Sequence, residues 1–155
     1  MTQVAPARSA KQRKQDTLAR LERDVDAWVA TAAAEGGEPY MMPLSFLWRD
    51  GAVYVSTRAT NPLARNLVAT GTVQLAIGGT RDVVRVEGVS EALPDDGIPA
   101  ELGDAFAVKT EFDPRAIDGL YLYFRIRPVR IQAWREVNEL ADRDLMRDGK
   151  WLVED

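Results

Sequence analysis

Histidine and cysteine are both absent from this 155-residue chain, and their absence removes whole classes of chemistry. The usual zinc, haem-thiolate and iron–sulfur ligand sets need one or the other. Ser-His-Asp and Cys-His nucleophilic catalysis need them too. A carboxylate site for magnesium or calcium stays open in principle, but no acidic stretch has EF-hand spacing. The aspartates fall mostly in turn sequences such as Arg49-Asp50-Gly51. No metal site is expected, and any redox chemistry has to come from a bound cofactor. Also missing is an apolar run long enough to span a bilayer, and the opening MTQVAPARSAKQRK lacks the apolar core of a secretory signal. With no cysteine there is no disulfide framework to suggest export. The expectation is a cytoplasmic protein with no membrane partner.

Acidic residues are absent from the first fourteen positions, where Arg8, Lys11, Arg13 and Lys14 cluster, although the chain as a whole carries a net charge of −4. A short basic arm on an acidic body lacks the broad stripe of phosphate contacts that nucleic-acid affinity requires. No nucleic-acid partner is expected, and residues 1–14 read as a disordered, solvated arm. The remainder, 15–155, reads as one domain. Its 46% hydrophobic and 28% charged residues are ordinary globular usage, and the length suffices for a single core.

Along the chain, Leu18, Leu21, Val25, Trp28 and Val29 recur at helical spacing among charged residues, which predicts an amphipathic helix over 15–34, ended by Gly36-Gly37. The run from Pro39 to Trp48, then Arg49-Asp50-Gly51, then Ala52 to Thr57 predicts a hairpin on an Asp-Gly turn. On its second strand Val53, Val55 and Thr57 share one face, and Ala52, Tyr54 and Ser56 the other, so two hydroxyls end the strand on opposite sides. A short helix follows, with Asn61 as cap, Pro62 at the first position and Gly71 past the end. Residues 72–78 and 83–93 read as the next two strands. The stretch 94–119 is a polar insertion with one short helix around Leu102, Phe106 and Val108. A long strand spans 120–134, interrupted at Pro128 by an edge or a bulge. Residues 136–155 read as a polar tail.

Five or six strands with one helix before them and one among them predict a mainly β fold. The expected form is a small antiparallel β-barrel with an N-terminal helix and short connecting helices, since closure removes exposed strand edges. Regular strand–helix alternation, which a doubly wound sheet needs, is absent.

At the end of the second hairpin strand, Ser56, Thr57 and Arg58 meet the helix opening at Asn61-Pro62, with Arg65 one turn in. Hydroxyls, guanidinium groups and the positive end of a helix form an anion site. An ordinary helix cap with solvated arginines would give the same pattern. The segments Pro43 to Gly51, Val53 to Thr57 and Arg65-Asn66-Leu67, with Val84-Arg85-Val86-Glu87-Gly88 and Arg127 to Trp134, resemble the flavin-binding split-barrel family. That family includes pyridoxamine 5′-phosphate oxidases and deazaflavin-dependent reductases.

The resemblance covers about residues 15–135. It implies a homodimer with FMN, or alternatively an 8-hydroxy-5-deazaflavin coenzyme, at the subunit interface. By position, Pro43, Leu44 and Ser45 would line the isoalloxazine, while Ser56, Thr57, Arg58, Asn61 and Arg65 would hold the phosphate end. Trp134 would approach from the other subunit, or else simply fill a core or interface. Many members carry a lysine near the position of Leu63, and here Arg58 or Arg65 would have to substitute. Arg85, if it points inward, would tune the ring.

The function implied is an FMN-dependent oxidoreductase acting on a small molecule, in which the flavin transfers hydride or electrons and the protein orients it. No turnover of pyridoxamine 5′-phosphate itself is expected, because the Arg-x-His-type pair for that substrate is missing. A flavin or aromatic-ligand binding or sensor protein without turnover is the alternative from another class. A nucleic-acid-binding barrel that uses aromatic stacking is a third, and the acidic body opposes it.

Overall fold

In the computed structural model, which describes residues 3–94 and 97–155, Ser9 opens the first helix by accepting the Gln12 N–H on its hydroxyl. The helix, α1 (Ala10–Arg23), ends much earlier than its spacing predicts. Residues beyond Asp24 form β1 (Asp26–Ala32), whose Ala27, Val29 and Thr31 point into the core. Val25, Trp28 and Val29 sit at helical spacing by coincidence; Trp28, on the opposite face from Val29, is half exposed. Strand partners on both sides decide the matter: β1 pairs with β2 (Pro39–Ser45) and with β5 (Thr72–Ile77), all antiparallel. The Gly36-Gly37 pair accordingly lies between two strands and does not cap a helix.

Three of the four basic residues expected on a loose arm are partnered instead. Arg8 is clasped by Glu139, Arg13 donates to the carbonyls of Ala133 and Glu139, and Lys14 donates to the Val153 carbonyl and Asp155. Arg13 and Lys14 are buried. Met1 and Thr2 of the arm lie outside the described residues, as do Asp95 and Asp96 of the insertion.

The hairpin forms on its Asp-Gly turn, where Asp50 and Gly51 both have positive φ, but its first strand is broken at Phe46. Up to Ser45 the chain belongs to β1's neighbour β2; beyond Phe46, β3 (Leu47–Arg49) pairs with β4 (Ala52–Arg58). Phe46 is fully buried at the junction, its N–H held by the Val25 carbonyl at 2.8 Å. The next segment follows its signals closely. In α2 (Pro62–Thr70) the Asn61 side chain accepts the Leu63 N–H, and Gly71 closes the helix.

β6 (Val83–Ala92) and β7 (Tyr121–Trp134) complete the main path, giving the order β2-β1-β5-β6-β7-β4-β3. The sheet curls into a half barrel in which β2, at one end, approaches β4, next to the other end, without a ladder between them. Pro128 sits at a bulge: the register of β6 against β7 slips between Glu87 and Gly88. Gly88 is required there, because a Cβ would lie 2.6 Å from the Ile126 side chain and 2.9 Å from the Arg127 carbonyl. The expected polar tail is a second correction. It forms a hairpin of β8 (Asp144–Arg147) and β9 (Lys150–Trp151) added to β7, burying Leu145 and Met146.

Inside the curl, Val29, Val53, Val55, Leu75, Val86, Phe124, Ile126 and Ile131 form the main core, plugged by Leu21 of α1 and by Leu63, Ala64 and Leu67 of α2. A second, smaller core lies on the outer face of the hairpin. There α3 (Ala100–Thr110), the helix of the insertion, sets Leu102 and Phe106 against Leu47, Ala52, Tyr54 and Tyr123. The insertion thus covers the outer side of β3, β4 and the start of β7.

Candidate functional site

The end of β4 is where both cores stop. Its ladder with β7 closes at Arg58 opposite Tyr121, and the chain then turns through Ala59 and Thr60 into α2. At this corner a cavity of about 350 Å³ opens, lined by Pro43, Leu44 and Ser45 of β2, by Ser56, Thr57 and Arg58 of β4, and by Asn61. Seven of the nine expected site residues therefore share one cavity. Its remaining wall is aromatic: Phe106 and Phe112 from the insertion, and Tyr121.

Alternation along β4 gives the two hydroxyls different surroundings. Ser56, on the outer face, donates to the Leu122 carbonyl at 3.0 Å; Thr57 lies on the inner face, and both side chains are buried. Arg58 is exposed. Its guanidinium rests over the Tyr121 ring at 4.9 Å and donates to the Asp118 carbonyl at 3.4 Å. Gly119 makes this placement possible: its φ is +108°, and a Cβ there would lie 2.6 Å from the Arg58 guanidinium.

The helix end supplies fewer donors than its position suggests. Pro62 has no N–H, Asn61 Oδ1 takes that of Leu63 at 2.9 Å, and the Asn61 carbonyl takes that of Arg65 at 3.2 Å. The dipole and the side chains therefore matter more here than the N–H groups of Leu63 and Arg65.

Two expected residues stand apart. Arg65 turns its guanidinium back onto the Thr60 carbonyl, with contacts of 2.7 and 3.3 Å, and borders the loop without lining the cavity. Trp134 ends β7 opposite Val83, beside Arg143 and roughly 40 Å of extended chain from Tyr121. It is not among the residues that line the cavity. Arg85 does not point inward either; it lies on the outer face, bonded to Gln132 and Gln74 at 2.9 Å each. Leu63 is fully buried, so that position is used for packing and the cations near the corner are Arg58 and Arg65.

Residue-by-residue reading missed the aromatic wall. Phe112 follows α3 through a left-handed Glu111, and its N–H is held by the Thr110 hydroxyl. Phe112 and Tyr121 meet with ring centroids 5.6 Å apart, Phe106 and Tyr123 at 5.5 Å edge to face. Tyr123 is a packing residue: its hydroxyl has no hydrogen-bond partner among the described residues, and burial, with Asp113 adding to it, holds its pKa above the usual phenol value. The only sequence signal for this wall was that large aromatics in a polar insertion must find cover.

Chemically the cavity combines hydroxyls, an amide and a guanidinium with an aromatic side and a short β2 edge. That donor set fits a phosphate ester carrying a flat ring system, and so fits a flavin nucleotide. Among the described residues, none of those lining the cavity carries a carboxylate.

Residues 14–135 match the pyridoxamine 5′-phosphate oxidase family. No curated protein sequence matches the chain. Among solved structures, an F420 reductase superposes with a TM-score of 0.60 at 18% identity, covering 73% of this chain and 93% of that one. An FAD-binding protein from Mesorhizobium loti gives 0.60 at 22%, covering 83% and 95%. A heme binding protein from Mycobacterium smegmatis gives 0.63 at 19%, covering 87% of this chain and 57% of that one. At such identities these likenesses establish the split-barrel fold alone.

Proposed function

This chain belongs to the pyridoxamine 5′-phosphate oxidase family, and within that family we propose that it is a flavin-dependent oxidoreductase acting on a small molecule. One observation carries the reading: the residues expected at the ring end of a flavin, Pro43, Leu44 and Ser45, and those expected at its phosphate, Ser56, Thr57, Arg58 and Asn61, line a single cavity although they are distant in sequence. When bound, the flavin supplies hydride or electron transfer. The chain supplies the rest. Thr57 and Asn61 donate to the phosphate, and Arg58 balances its charge. The β2 edge offers backbone groups to the flat ring, and Phe106 and Phe112 exclude water from one side. Arg65, released from Thr60, is the second cation within reach of the loop. In the proposed homodimer the open side of the cavity faces the partner, and Trp134 belongs to that partner's contribution.

The test is an absorption spectrum of the protein as purified, followed by titration with FMN and with F420. We expect an oxidised-flavin spectrum, or quenching of added flavin fluorescence on binding. Colourless protein that takes up neither cofactor would falsify the proposal. A holding or sensing role without turnover is the second reading, since hydroxyls, an amide and a guanidinium line the cavity among the described residues and these bind an anion without acid–base chemistry. Reduction of the bound cofactor by NAD(P)H, or its reoxidation by an organic acceptor, separates the two.

A further inference from the structure

We propose that Lys109 of the insertion helix is the cation that serves the ring of the bound flavin, stabilising the negative charge that the ring takes up on reduction. This rests on the flavin reading of the cavity and assigns the ring an electrostatic partner, a place that Arg85 on the outer face does not fill.

The hairpin register locates the residue. β3 pairs with β4 as Leu47 to Tyr54, Trp48 to Val53 and Arg49 to Ala52. Continued past Phe46, that register sets Ser45 against Ser56, Leu44 against Thr57 and Pro43 against Arg58, but β2 turns away to pair with β1. Those six residues line the cavity, so the cavity is the opening where the two arms of the hairpin part, and the fully buried Phe46 stands at its closed end. Along this opening runs α3, from Glu101, which pairs with Arg49 near the turn, to Phe106, which together with Phe112 walls the cavity. Lys109 lies between those two phenylalanines, one helical turn after Phe106, and its ammonium rests over the Phe46 ring, 4.9 Å from the centroid. Arg58 and Lys109 thus stand at opposite ends of the opening. One is beside the residues assigned to the phosphate, the other beside Ser45, assigned to the ring.

The ammonium is not neutralised where it stands. Lys109 is half-buried and forms no salt bridge among the described residues. Glu22 and Asp24, the carboxylates that act on it, belong to the end of α1, and Asp24 is already taken by Arg20 and Arg23. Burial, opposed by those two carboxylates, holds the Lys109 amine below the usual lysine range. A nearby anion offsets such a desolvation cost. Oxidised isoalloxazine is neutral and offers none, whereas the reduced ring, once N1 has lost its proton, carries negative charge over its pyrimidine part. Lys109 therefore binds the reduced flavin more favourably than the oxidised one, and that difference draws the bound cofactor toward reduction.

The experiment loads the full chain with FMN and takes two measurements on the wild type, Lys109→Met and Lys109→Arg. They are the dissociation constant of oxidised FMN by fluorescence, and the midpoint potential by anaerobic dithionite titration against a reference dye. Lys109→Met should weaken reduced FMN about tenfold more than oxidised FMN, a fall of about 30 mV for a two-electron couple, and Lys109→Arg should keep the wild-type potential. Oxidised FMN should bind Lys109→Met within about twofold of the wild type. An unchanged potential in Lys109→Met overturns the inference and leaves the flavin reading intact. Equal loss of both redox forms also overturns it, because Lys109 would then only pack against Phe46. If Lys109→Met fails to fold, Lys109→Gln, which removes the charge and keeps a polar side chain, is read by the same two measurements. Failure of the wild type to bind FMN overturns the inference, and failure to bind F420 as well removes the flavin reading.

Discussion

Two groups of arginines, drawn from opposite ends of the main sheet, show how the same side chain becomes structural in one place and available in another. Around the N-terminal helix, Arg8 meets Glu139 through its backbone N–H, Nε and Nη2 at 2.8 to 3.0 Å and also pairs with Asp16. Glu139 is almost fully buried, and a further N–H, from Arg135, completes its shell. At the corner of β4, Arg58 and Arg65 bond only to main-chain carbonyls, and among the described residues neither forms a salt bridge. A carboxylate-paired guanidinium is neutralised and locked. A guanidinium parked on a carbonyl keeps its charge for an anion.

From that difference, the clasp should matter most to stability and the corner most to binding. Glu139→Ala strands Arg8 in a partly buried site and should cost about 3 kcal/mol in urea unfolding; a loss below about 1 kcal/mol would mean that Asp16 alone satisfies Arg8.

The same clasp sets an acid limit. The Arg8 guanidinium, aided by the backbone N–H groups of Arg8 and Arg135, holds the Glu139 carboxyl down at about 2 against a usual value of 4.5. The folded-state value is the lower one, so this stabilisation is complete above about pH 4.5 and is lost as the pH falls from there toward about 2. Glu139→Gln should flatten that part of the stability–pH curve, and an unchanged acid slope would assign it to other carboxylates.

At the corner the expected effects are smaller and of another kind. Arg58→Ala should weaken flavin binding by about tenfold in a fluorescence titration while leaving the thermal midpoint within a degree or two. Arg65→Ala, whose guanidinium lies outside the cavity, should cost about twofold. The reverse order would mean that Arg65 swings off Thr60 to take the phosphate.

Much of the corner was readable in advance because its signals are local. Asp50-Gly51 makes a tight turn, Asn61-Pro62 starts a helix and Gly71 stops it, each for reasons confined to a few residues. The helix predicted over 15–34 failed for the opposite reason. Val25, Trp28 and Val29 satisfy a helical spacing as well as part of a strand alternation, and only pairing with β2 and β5 settles the choice. Leu145, Met146 and Trp151 gave no strand signal strong enough to oppose a polar tail; β7 supplies the edge on which β8 pairs, and β8 the edge for Trp151.

By itself, then, the sequence determined which side chains are not available, histidine and cysteine, and the β-rich fold class, through alternation and turn residues. It also placed the hydroxyls, amide and arginines of the cradle next to one another on the chain. Only the tertiary structure decided that Pro43, Leu44 and Ser45 face them, that an insertion's Phe106 and Phe112 wall the same cavity, and which arginines carboxylates claim. Those are contacts between residues far apart in the chain, and neither a spacing nor a propensity records which distant partner a side chain will meet.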